Sequence, residues 1–237
     1  MNYFIYDNKN SRDFNIIVSK ITGYLSSPNR KTEIVEINGR NGSLIIDYES
    51  WKNKKIEIEC YIESNNLIET ALEIKKWLQS DFNYKILRLS TLNNFYFEAS
   101  VINKLDISEV IEILGKFKII FECKPLMKNI NGNYPITITS ETTIFNKYLE
   151  SNPYFKIYGN GDVNININNQ ILILKDLEDY IEVDSEEMNC FKTENDIIIL
   201  KNDKMYSSFP VLEPGENNIS WLGNISKIEI IPRWNTI

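Results

Sequence analysis

The chain reads as a mainly β protein with one α-helix, arranged in two domains, and three observations lead there. Only two of its 237 residues are Ala (Ala71 and Ala99), whereas Ile, Tyr (13) and Phe (11) abound, a composition poor for helices and good for strands. Several segments alternate apolar and polar residues strictly, the period of a half-buried strand. Turn and breaker residues cluster at 124–135, where the charge balance also changes.

The first strong element is a hairpin. Thr32–Ile37 and Leu44–Tyr48 are apolar, β-rich runs flanking Gly39-Arg40-Asn41-Gly42. Asn41-Gly42 suits a two-residue type I′ turn, because both central positions need positive φ. Lys55–Glu63 follows, with Ile56, Ile58, Cys60 and Ile62 on one face and Glu57, Glu59, Tyr61 and Glu63 on the other. Leu67, Ala71, Ile74 and Leu78 then recur at helical spacing, Asn66 suits the N-cap and Glu69 completes a capping box. The spacing predicts a helix over about 66–80, sealed onto a sheet by Trp77 and Leu78. Strands resume at Lys85–Leu89, Phe95–Ile102 and Lys116–Cys123, the last with Phe117, Ile119, Phe121 and Cys123 on one face before Pro125 stops it.

Pro125, Asn131-Gly132-Asn133 and Pro135 mark a boundary, giving domains 1–128 and 129–237. The first holds 18 Lys/Arg and 17 Asp/Glu and the second 8 and 16, so the net charge of −7 divides as +1 and −8. An acidic second domain argues against a nucleic-acid surface there, and the near-neutral first domain suits self-association. Short strands are predicted at Pro153–Tyr158, Asp162–Asn168, Gln170–Lys175, Tyr180–Asp184, Asp196–Leu200, Asn217–Leu222 and Ser226–Ile231. Gly159-Asn160-Gly161 and Asn168-Asn169 are read as hairpin turns. This spacing indicates an antiparallel sandwich or barrel.

Composition also bounds the chemistry. There is no His, which removes the commonest general base and metal ligand. Cys60, Cys123 and Cys190 are scattered through apolar patterns, as expected of buried reduced thiols, with no zinc spacing. No catalytic residue, metal site or cofactor is expected. No apolar run approaches the roughly 20 residues of a membrane span, and residues 1–14 lack a signal-peptide core, so the expected product is soluble and made in a cytoplasm. Asp184, Glu186 and Glu187 are the one carboxylate cluster that glycoside hydrolysis would need; an acidic turn after a strand is the simpler reading. Trp221 and Trp234, with Tyr154 and Tyr158, form either a sugar-stacking platform or part of a core, and Arg233 beside Trp234 suits a partner contact.

Taken in order, the motifs resemble those of the distal tail proteins of long-tailed phages, the siphovirus tail-tip hub family. The resemblance rests on Phe4-Ile5-Tyr6-Asp7, Pro28-Asn29-Arg30-Lys31, the Gly39-Arg40-Asn41-Gly42 turn and the helix ending Lys76-Trp77-Leu78. It continues through Phe117–Pro125, Asn152–Gly161 and the Phe209–Ile219 segment with its Pro214-Gly215-Glu216-Asn217 element. It implies an N-terminal β-sandwich-like domain with one helix that assembles into a hexameric ring. It also implies a C-terminal galectin-like antiparallel β-sandwich outside that ring. The implied partners are other copies of the chain, the tail tube protein, a tail-associated hub protein and receptor-binding proteins, with no membrane or nucleic acid. The implied location is the virion tail tip, in a phage or prophage. The chain is too short for an inserted carbohydrate-binding module and lacks the His of a true galectin, so galectin likeness concerns fold and not function. Arg40 and Asn41 are the candidate subunit contacts, because an Arg at a projecting turn can pair bidentately with a neighbour's carboxylate; the alternative is an Arg that merely solvates its turn. The competing functional reading is a stand-alone carbohydrate-binding module using Trp221 or Trp234.

Overall fold

The computed structural model describes residues 2–111 and 113–237, in two compact units, one ending at Met127 and one spanning Lys128–Thr236. The protein is mainly β, with one α-helix and antiparallel sheets.

The first unit contains β1 (Phe4–Tyr6), β2 (Lys9–Asn10), β3 (Ile16–Thr22), β4 (Arg30–Glu36), β5 (Ser43–Trp51), β6 (Lys54–Glu63), α1 (Leu67–Leu78), β7 (Lys85–Leu89), β8 (Phe95–Val101), β9 (Ser108–Ile111) and β10 (Leu114–Cys123). Its sheet runs β2-β1-β7-β8-β10-β6-β3, with β9 on β10. The two strictly alternating segments are neighbours: Phe117 pairs Cys60, Ile119 pairs Ile58 and Phe121 pairs Ile56. The apolar faces are therefore in phase, and these six side chains share one core. Strand β3 was not expected; its register slips between Val18 and Lys20, which breaks the alternation a sequence pattern needs.

Helix α1 begins as predicted and ends slightly earlier. Asn66 Oδ1 accepts from the Glu69 amide at 3.3 Å, its Nδ2 donates to Glu69 Oε2 at 2.7 Å, and Gln79 closes the last turn by donating to the Lys75 carbonyl. Trp77 and Leu78 are buried. The Trp77 ring stacks between Phe4 and Phe14, with centroids 5.7 and 4.4 Å away, and its Nε1 donates to the Tyr6 carbonyl at 3.0 Å. Stacked rings over a satisfied indole N–H hold the helix on the sheet.

The remaining strands are β11 (Met127–Asn129), β12 (Ile136–Ile138), β13 (Thr142–Asn146), β14 (Tyr154–Ile167), β15 (Gln170–Asp184), β16 (Asn189–Glu194), β17 (Ile197–Leu200), β18 (Gly215–Ile231) and β19 (Asn235–Thr236). A seven-stranded sheet runs β12-β18-β14-β15-β16-β17, with β13 also on β18. The predicted turn at Asn168-Asn169 joins β14 to β15, where Ile167 pairs Gln170. The predicted turn at Gly159-Asn160-Gly161 does not exist. Those residues lie inside one continuous strand, paired to Asp179, Glu178 and Leu177 of β15, with register shifts on both sides. Likewise each pair of short strands predicted over 170–184 and 217–231 is a single long strand. All three carry left-handed residues at the same level: Gly161, Asp176 and Asp179, and Gly223. They bend and continue, which is how strands turn a corner between packed layers. Phe155 and Ile157 before the bend and Val163, Ile165 and Ile167 after it face the same core.

The glycines are there for different reasons. A Cβ on Gly159 would stand 2.2 Å from the Asn224 carbonyl oxygen, whereas one on Gly161 (φ +79°) would meet nothing within 4 Å. Gly159→Ala must push two paired backbones apart and is expected to cost more than about 2 kcal/mol. Gly161→Ala carries only the left-handed backbone penalty of about 1 kcal/mol. Denaturant midpoints of the two variants check this order.

Candidate subunit-contact surfaces

Strands β4 and β5 pair with each other in a two-stranded sheet of their own. Their register runs from Glu36–Ser43 to Arg30–Trp51, with an irregularity between Arg30 and Thr32. Ile37 to Gly42 therefore form a six-residue loop, correcting the predicted two-residue type I′ turn. The Arg40 amide donates to the Ile37 carbonyl at 3.1 Å with Gly39 at φ +82°, the φ pattern of a type II turn, and Gly42 takes the second left-handed position. Gly, rather than Asn41, absorbs both positive φ values because it has no Cβ to clash.

This hairpin is stiff in its polar pairs and bare in its apolar ones. Arg30 grips Asp47 through Nε at 2.9 Å and through Nη2 at 2.8 Å, while its guanidinium lies 4.8 Å from the Trp51 ring centre. The Arg30 hydrogen bond holds the Asp47 carboxyl below the usual carboxylate range. Tyr48 donates to Glu33 at 2.5 Å, raising its own phenol pKa. On one face Ile34 (67% exposed) pairs Ile45 (65% exposed); on the other Val35 pairs Leu44, beside exposed Ile46 and Tyr48. A two-stranded hairpin is marginal alone in water, and clustered exposed aliphatics mark an interaction surface. The sequence reading fixed on the polar tip and missed these flanks, although the apolar runs were visible.

Arg40 and Asn41 lie exposed at the tip, and the Arg40 side chain makes no hydrogen bond or ion pair among the described residues. No atom lies within 4 Å of a Cβ built on Gly39 or Gly42. The guanidinium is thus free to meet an outside carboxylate.

The aromatic candidates of the second unit are not brought together. Trp234 is 9% exposed and belongs to the core, and Trp221 packs against that core from its position opposite Ile165. Tyr154 and Tyr158 alternate with core residues Phe155 and Ile157 and face the other way, among Lys156, Tyr180, Glu182, Lys227 and Glu229. There Lys156 Nζ lies 4.2 Å from the Tyr180 ring centre and Lys227 Nζ lies 4.0 Å from that of Tyr158.

The carboxylate cluster serves the fold. Arg233, itself at φ +54°, donates from Nη1 and Nη2 to the two Asp184 oxygens at 2.6 and 2.7 Å. Asp184 also accepts from the Glu186 and Glu187 amides at 3.0 Å, tying the turn after β15. Glu186 is held by Lys128 at 2.7 Å and lies 3.5 Å from Arg233. Burial pushes the Asp184 carboxyl up, but Arg233 and the two amides outweigh it and hold the value below the usual range. A carboxylate so gripped is neither a proton donor nor a nucleophile near neutral pH. The three thiols are free and buried, and burial pushes each up to about 12. Among the described residues no group of three His, Cys, Asp or Glu is placed to hold a metal ion, and no helix is long and apolar enough to cross a membrane.

Because the folded Asp184 value lies below its unfolded value of about 3.9, the pair stabilises the protein above that pH and ceases to as pH falls through the folded value. Arg233→Met leaves the nearly buried carboxylate unpaired, which is expected to cost about 3–5 kcal/mol at pH 7 and to move acid unfolding to higher pH. Adding Asp184→Asn is expected to recover part of the loss. Thermal melts of the three proteins from pH 3 to 7, a range of about four units around the Asp reference value, check the sign.

No family model matches the sequence, and no curated protein does. Among solved structures the fold is similar to the crystal structure of the SPP1 Dit (gp 19.1) protein, with a TM-score of 0.74 over 100% of both chains at 12% identity. That protein is described as a paradigm of the hub adsorption apparatus in phages infecting Gram-positive bacteria. At this identity the likeness lies in the path of the backbone, and it covers the full length of both chains. The chain has the fold of a phage distal tail protein.

Proposed function

We propose that the protein is a structural component of the tail tip of a long-tailed phage or prophage. In this reading six copies form a hub ring joining the tail tube to tail-associated and receptor-binding proteins. The observation that carries it is the end-to-end match in fold to a hub protein, with no part of either chain left over. The hairpin supports it: a ring needs each copy to offer one patch and receive another, and β4–β5 offers apolar flanks and a cationic tip that no other strand among the described residues pairs. Arg40 and Asn41 then touch the neighbouring copy, and Ile34 and Ile45 supply its buried area. The role is scaffolding rather than catalysis, consistent with carboxylates committed to Arg233 and Lys128.

Light scattering over a concentration series, alone and with the tail tube protein, tests the ring. The expected mass is six times 27.8 kDa. A monomer under both conditions overturns it. Arg40→Ala is expected to weaken the ring, and an unchanged mass would remove Arg40 from the contact. Ile45→Asp is expected to leave the melting of the single subunit within about 0.5 kcal/mol, as for surface substitutions, while abolishing the assembly.

A further inference from the structure

An asparagine followed by glycine is the one most open to losing its side-chain amide without an enzyme, because no Cβ shields the glycine nitrogen from the asparagine side chain. Such pairs occur at Asn38-Gly39, Asn41-Gly42, Asn131-Gly132 and Asn160-Gly161, and the structure sets them in two unlike environments. Asn160 and Gly161 lie within β14, paired to Glu178 and Leu177, and Asn160 Oδ1 accepts from the Asp179 amide at 3.3 Å. Gly132 is buried, a Cβ on it would stand 2.4 Å from the Trp234 nitrogen, and its carbonyl accepts from the Arg233 amide at 2.8 Å. The Asn131 amide donates to Asn129 Oδ1 at 2.9 Å. Reaction at either place first requires the backbone to open, and the rate falls with the fraction of molecules that do so. The other two pairs lie in the Ile37 to Gly42 loop, where Asn38, Gly39, Asn41 and Gly42 are all exposed. Neither asparagine side chain and neither glycine amide makes a hydrogen bond among the described residues. Each glycine nitrogen is therefore free to swing toward the side chain before it.

We propose that the β4–β5 tip is a site of spontaneous deamidation, at Asn38 and Asn41. The Gly42 amide nitrogen gives its proton to hydroxide and attacks the Asn41 side-chain carbonyl carbon. A carbon–nitrogen bond forms there, the bond to the side-chain nitrogen breaks, and ammonia leaves with a proton taken from water. The resulting succinimide ring then adds water at one of its two carbonyls. The product is an aspartyl residue, or an isoaspartyl residue whose backbone runs through the side-chain carbon. Gly39 acts on Asn38 in the same way. Residues 37–42 carry one charge, that of Arg40, and each conversion puts a carboxylate within two residues of it, so two conversions change the loop from +1 to −1. A new carboxylate competes for the guanidinium with any carboxylate of a neighbouring copy, and repels it. The charge of the tip thus drifts with the age of an unassembled subunit. The chemistry stands on the loop alone, whereas its effect on assembly rests on the reading of β4–β5 as the subunit contact.

The test ages the full chain in mildly alkaline buffer and follows each asparagine by mass spectrometry of its tryptic peptides. Trypsin cuts after Arg40, which places Asn38 and Asn41 in separate peptides. The expected result is conversion at Asn38 and Asn41 at least about tenfold faster than at Asn131 and Asn160, which need local opening, with isoaspartate among the products. Asn38→Gln with Asn41→Gln, both at exposed positions, is expected to keep the thermal melt and abolish the change in the loop, because glutamine must close a larger ring. Conversion at Asn131 or Asn160 as fast as in the loop overturns the site. So does a loop that stays unmodified while the chain unfolded in denaturant converts, and so does aspartate formed without isoaspartate. Light scattering of fresh and aged protein with the tail tube protein reads the consequence: aged chain is expected to lose the ring and the double glutamine variant to keep it. A ring that persists after full conversion overturns the effect on assembly. Fresh protein that forms no ring overturns the subunit-contact reading, and the mass shifts then decide the site by themselves.

Discussion

Both units depend on the phase between neighbouring central strands. A strand shows successive side chains to opposite faces, so two paired strands bury a common face only if their alternations coincide; a slip of one residue would expose the whole set. Ten consecutive pairs between β6 and β10 keep that phase. In the second unit β14 keeps it on both sides through a bend, and register shifts at Gly159–Val163 restore the phase after each interruption. The buried aliphatics, the helix under Trp77 and the locked turn at Asp184 are arranged around these ladders.

Much of this was legible. Strict alternation in Lys55–Glu63 and Lys116–Cys123 identified the central strands of the first unit, and Asn66 with Glu69 identified the start of its helix. The failures have a common origin. Gly159-Asn160-Gly161 has the composition of a turn, yet the Gly at 159 answers to the close passage of β18, a tertiary fact with no local signal. The Asn41-Gly42 pair has the composition of a type I′ turn, yet Gly39 and Gly42 together permit a longer loop. Glycine announces that the backbone does something special and leaves open what.

The candidate site was half legible. Arg40 and Asn41 were recognised as a projecting tip, and the structure leaves them bare. Trp221 and Trp234 turn inward, because an aromatic on a strand yields most stability by filling a core. Arg233 proved to be the partner of Asp184, forty-nine residues earlier in sequence, a pairing that no spacing rule connects. The aliphatic flanks of β4–β5 and the edge at β17 were counted among the sheet's apolar runs. Only the structure shows that these runs reach no core.

The absence of His, together with thiols displaced to about 12, has a consequence for the chain as a polyelectrolyte. Between the carboxylates and the tyrosine and lysine side chains, no side chain with an ordinary value near neutrality is present. The net charge thus stays almost constant across the mildly acidic to mildly alkaline range. Contacts built on that charge are buffered against the acidity of whatever medium surrounds them. The sulfur atoms, unionised and sealed, are similarly slow to meet oxidants.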